Sequence, residues 1–97
     1  MGVIEYPVIT LPDGDKRFRS VEINDKGELV FEQTDVGLNT ARLAPNGGDS
    51  DYEYWVTVKS ENVSRVLLEL VREKFGIQSE FEEWLRAKNI QYGFFSY

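Results

Sequence analysis

The hydrophobic period changes once along this chain, at Ser60, and that change limits the folds open to it. Before Ser60 the sequence runs in short β-patterned stretches: "VIEYPVIT" from Val3, "RFRSVEIN" from Arg17, "ELVFEQTD" from Glu28 and "DYEYWVTVK" from Asp51. After it, Val63, Val66, Leu67, Leu70 and Val71 recur at i, i+3, i+4, i+7 and i+8, the stripe of an amphipathic helix. A strand region followed by a helical region predicts an α+β fold rather than alternating βα units. Ninety-seven residues suffice for one domain with one core, spanning 1–97.

Turn chemistry divides the first half. Pro12, Asp13 and Gly14 make one turn, and Asn24 to Gly27 ("NDKG") close a hairpin between two β-patterned runs. Pro7 cannot donate to a strand ladder, which places its run at a sheet edge. Val36 to Ser50 is irregular, with Pro45-Asn46-Gly47-Gly48 ending any short helical turn within it, and reads as a loop. In the second half, Ser60 is a candidate N-cap and Gly76 a candidate left-handed C′ residue. Ser79 and Glu82 have the spacing of a capping box for a second helix. Phe81, Trp84 and Leu85 form its apolar side, Glu82 and Arg86 an i, i+4 pair, and Asn89 its left-handed stop. The aromatic tail "IQYGFFSY" is expected as a terminal strand. The predicted architecture is an antiparallel β-meander packed by two helices on one face, with a C-terminal strand, in a two-layer sandwich.

Composition removes several chemistries. The chain has neither cysteine nor histidine, so disulfides, thiolate nucleophiles, Ser-His and Cys-His triads and the usual catalytic zinc site cannot be built. The formal charge of −6 and pI near 4.6, without a run of Lys or Arg, disfavour nucleic acid and anionic membranes. No apolar run approaches the roughly 18 residues of a membrane-spanning helix, and the N-terminus lacks a basic region before an apolar core. A cytoplasmic protein without cofactor is expected, either a monomer or a weak homodimer, for which a basic protein is the partner that fits the charge.

One stretch concentrates the functional question. In "GDSDYEYWVTVKS", Asp49, Asp51, Glu53 and Trp55 share one face of a strand, while Tyr52, Tyr54, Val56 and Val58 share the other. The tyrosine-valine face has core composition. The acidic face meets water, with Trp55 as its apolar exception. Together with Phe95 and Tyr97 these residues are candidates for a protein-binding surface, an apolar centre ringed by acids. The alternative is a metal-dependent hydrolase or small-ligand binder, because carboxylates roughly 6–7 Å apart along a strand can converge on one hard cation. The glycine and glutamate that an EF-hand loop requires are missing, and no phosphate-binding glycine motif is present.

The segments "RSVEINDKGELVFEQTDVG", "DSDYEYWVTVKSENVSRVLLELVREKFG" and "EFEEWLRAKNIQYGFFSY" resemble a group of small uncharacterised bacterial proteins. Members pair an acidic hairpin with an aromatic strand ending in tryptophan, a helix closing on "EKFG", and an "FFSW"-like tail. The resemblance spans most of the chain beyond its first dozen residues and implies no catalytic residue. In size, charge and layout the chain is also similar to bacterial immunity proteins, which neutralise toxins by direct contact. That likeness implies a non-enzymatic domain binding a basic protein such as a toxin nuclease.

Overall fold

A computed structural model of the chain describes residues 2–37 and 51–96. Its first half is organised by two hairpin turns of the same construction. Between β3 (Lys16–Ile23) and β4 (Leu29–Val36), Asn24 donates its backbone N–H to the Glu28 carbonyl at 2.9 Å, and Gly27 donates back to the Asn24 carbonyl at 2.9 Å. Gly27 takes φ 76°, which closes a three-residue loop at little steric cost only for glycine. The Asn24 side chain accepts from the backbone N–H groups of Lys26 and Glu28, each at 3.0 Å. The turn before β3 repeats the pattern, Leu11 pairing with Asp15 at 2.8 Å around Gly14 at φ 94°.

β1 (Val3–Glu5) and β2 (Ile9–Thr10) both pair antiparallel with β3. Glu5 faces Ser20 and Ile9 faces Arg17, so Tyr6, Pro7 and Val8 oppose only Phe18 and Arg19. That one-residue excess is a β-bulge on the edge strand, where the missing N–H of Pro7 costs no ladder bond. The edge position expected for Pro7 is thus observed. β5 (Asp51–Val58) pairs with β4, completing a five-stranded antiparallel sheet of order β1-β3-β4-β5 with β2 beside β3. The segment expected to form the loop before β5 lies largely outside the described residues.

Register fixes what each face of the sheet carries. Val21, Phe31 and Val56 form one cross-strand row, extended by Ile4, and Ile23, Leu29 and Val58 form the next. Tyr52, Tyr54, Val56 and Val58 therefore share a face with the apolar residues of β3 and β4, as their alternation predicts. The same face holds a polar network: Arg17 forks onto Asp35, with Nε to Oδ1 at 2.8 Å and Nη2 to Oδ2 at 3.0 Å, and the Tyr54 hydroxyl donates to Oδ2 at 2.9 Å.

The chain divides into two compact units, Met1–Val63 and Ser64–Tyr97. Helix α1 (Ser60–Lys74) has Val63, Val66 and Val71 half-buried, but Leu67 and Leu70 of the expected stripe are 60% and 57% exposed. Helix α2 (Gln78–Ala87) starts earlier than a Ser79 cap requires. Glu80 Oε1 instead accepts from the backbone N–H groups of Gly76 at 3.1 Å and Ile77 at 3.3 Å, leaving Glu82 free to hold Gln78, Arg86 and Tyr92. Gly76 is not left-handed, since its backbone serves the start of α2. Asn89 is, at φ 56°, and with the Asn89→Arg86 and Ile90→Leu85 backbone bonds it completes a Schellman stop. Phe75 packs on Phe81 and Trp84, with ring centres 5.2 and 5.7 Å away.

The terminal strand expected from "IQYGFFSY" is not formed: the described residues 90–96 are irregular. The Schellman turn reverses the chain there. Tyr92 then donates its hydroxyl hydrogen to Glu82 at 2.9 Å and accepts from Arg86 at 2.7 Å, which fixes the tail to α2.

Candidate functional site

The sheet face opposite the Asp35 network gathers most of the sheet's acidic charge. Asp51, Glu53 and Trp55 of β5 lie on it, as their alternation predicts, and pairing with β4 sets Val36, Thr34 and Glu32 opposite them. β3 adds Lys16, Phe18, Ser20 and Glu22, and β1 adds Val3 and Glu5. Glu5, Ser20, Glu32 and Trp55 consequently form one row across four strands, with neighbouring residues about 4.5–5.5 Å apart. Glu22, Glu32 and Glu53 form a diagonal across three strands.

Two features bear on what this face can do, although apolar exposure is not confined to it: Val56 on the opposite face is 65% exposed. Four of its carboxylates lack partners: among the described residues none of Glu5, Glu22, Glu32 and Glu53 makes an ion pair or hydrogen bond through its side chain, whereas Asp51 is engaged. Among the strand residues described on this face the one cation is Lys16, which donates to Thr10 Oγ1 at 2.7 Å. The face also exposes aromatic area, Trp55 being 56% and Phe18 45% accessible. A groove of about 200 Å³ opens at the Pro7 bulge, lined by Glu5, Phe18, Ser20, Glu32 and Thr34 among others. Glu32 thus stands between the groove on one side and the Trp55 ring on the other.

On the opposite face Asp35 is nearly buried and fully engaged. The Arg17 guanidinium holds its carboxyl below the usual carboxylate range, against burial, with help from the Tyr54 hydroxyl. Burial and then the Asp35 carboxylate push the Tyr54 phenol upward. A phenol pushed up and a carboxylate held ionised describe a structural clamp: neither is poised to exchange a proton near neutrality.

Asp49 and Tyr97 lie outside the described residues. Phe95 is 79% exposed in the Ser64–Tyr97 unit, which is described by itself. Among the described residues no group of three or more carboxylates converges to hold a metal ion, and no helix is long and apolar enough to cross a membrane. Sequence reasoning missed Glu5, Phe18, Glu22 and Glu32. The register of the Asn24–Gly27 hairpin was the signal that could have placed the last three on one face.

Comparison with family models, with curated proteins and with solved structures finds no match to this chain.

Proposed function

We propose that this protein is a small, non-enzymatic, cytoplasmic interaction domain that binds a basic protein through the Glu32 face of its sheet. One observation carries the reading: four carboxylates without partners among the described residues share a single face with exposed Trp55 and Phe18. An apolar centre with a charged rim has the make-up of a protein interface. A chain of net charge −6 attracts a cationic partner over distances of about a Debye length, so the acids act chiefly on association rate. The mode is that of the immunity proteins the chain resembles in size, charge and layout.

The test is a pull-down from native lysate, with identification by mass spectrometry, run in parallel with the charge reversal Glu32→Lys/Glu53→Lys. The expected result is a protein of high pI retained by the natural chain, released by salt and lost from the folded variant. Equal recovery by both chains overturns the assignment to this face.

A further inference from the structure

We propose that Glu32 and Trp55 together form an anchor for a single arginine side chain. The proposal rests on the reading of the acidic face as a surface for basic proteins and names the group it grips. The two residues are direct cross-strand partners, so their side chains rise from the sheet about 4.5–5.5 Å apart at Cβ. Trp55 is 56% exposed, and Glu32 carries a carboxylate without partner among the described residues on an inner strand, where neighbours on both sides restrict its rotamers.

That geometry suits a guanidinium better than an ammonium. A guanidinium is planar, so it lies flat on an indole while its edge forks onto a carboxylate. An ammonium is a strongly hydrated point charge that gains little from the ring plane. Among the described residues no cation pairs with Glu32. Arg19 projects from the opposite face, its guanidinium 4.8 Å over the Tyr6 ring and donating to the Pro7 carbonyl at 3.1 Å. Arg17 is committed to Asp35. Beyond Glu32, the groove at the bulge adds Glu5, Ser20 and Thr34, which can receive the polar backbone of the segment carrying the arginine.

The experiment compares nona-arginine and nona-lysine peptides, equal in charge, by calorimetric titration at low salt, with amide chemical-shift mapping. The expected result is tighter binding of the arginine peptide by about three- to five-fold. Shifts should centre on Glu32 and Trp55. Trp55→Leu, which keeps apolar bulk but removes the ring, should abolish the preference, and Glu32→Gln should weaken both peptides. Melting curves verify that both variants fold. Equal affinities for the two peptides, both reduced by Glu32→Gln, would overturn the arginine anchor and leave the acidic surface standing. Absence of binding by either peptide, or binding indifferent to Glu32→Gln, overturns both.

Discussion

Asp35 and Glu32 stand three residues apart on one strand, and their side chains leave opposite faces of the sheet. Asp35 is 6% exposed and receives the Arg17 fork, the Tyr54 hydroxyl and a longer contact from Gln33. Glu32 is half-buried and receives nothing among the described residues. The pairing around Asp35 demonstrates that this sheet can satisfy a carboxylate when its cross-strand neighbours include donors. Around Glu32 the cross-strand neighbours are Ser20 and Trp55, with Glu5 beyond, and among the described residues no cation pairs with it. Charge on one face is used to hold strands together; on the other, four glutamates make no ion pair among the described residues.

The largest effect should come from removing the paired acid. Asp35→Ala leaves Arg17 without its partner and strips the Tyr54 hydroxyl of its acceptor. A loss of about 2–4 kcal/mol is expected, below the upper end for buried pairs because the Arg17 side chain stays one-third accessible (33%). Glu32→Ala, on the same strand, should cost within about 0.5 kcal/mol. Urea titrations of the two variants test the contrast directly, and comparable losses would erase it.

The same clamp predicts a pH dependence. Asp35 has a folded pKa below its unfolded value, so its contribution is fully present above about pH 4, the unfolded value. It is lost as the pH falls through the lower folded value. Tyr54 has the opposite sign: its folded pKa is raised, so stability is present below about pH 10 and declines as the phenol ionises above that. Urea midpoints measured across pH should show a plateau between these limits. In Asp35→Asn the acid-side decline should be visibly shallower.

A middle-sized effect is expected where β4 leaves the sheet. Gly37 has φ 145°, and a Cβ there would fall 2.2 Å from Oδ1 of Asp15, itself only 5% exposed. Gly37→Ala must therefore shift a buried carboxylate as well as strain the backbone, at a cost of about 1–3 kcal/mol. Thermal melts of Gly37→Ala and Gly2→Ala make the comparison, since a Cβ at Gly2 meets nothing within 4 Å.

How far this arrangement could be read in advance follows from how each register is set. The Asn24–Gly27 turn is short, so it determines the β3–β4 register by itself and with it the positions of Phe18, Glu22 and Glu32. The β4–β5 connection is long, so its length leaves the register open and the sequence does not show that Trp55 faces Glu32. Alternation within β5 was legible because period two survives any register. The start of α2 was misread because two acids compete for one role: Glu80 lies within reach of the free N–H groups at Gly76 and Ile77, which leaves Ser79 inside the helix. The tail carries β-forming residues, yet a left-handed Asn89 turns it back along α2, where the Tyr92 hydroxyl finds Glu82 and Arg86. Local propensity lost there to a tertiary hydrogen bond.

The smallest effect is also the one that most sharpens the contrast between the faces. Replacing Glu22, Glu32 and Glu53 together by glutamine removes three negative charges that make no ion pair among the described residues. The side chains keep their length and apolar stems, so packing against Phe18 and Trp55 is unaltered to first order. Only mutual repulsion across the diagonal is relieved, and between surface charges spaced by one strand and two residues that is about a few tenths of a kcal/mol per pair at physiological salt. Stability should therefore hold or rise by about 0.5 kcal/mol, with the gain larger at low ionic strength. Asp35→Asn must move in the other direction under identical conditions, because it weakens the Arg17 fork. A triple variant that melts well below the natural chain would mean that these glutamates serve the fold after all, and the acidic face would lose its claim to be reserved for a partner.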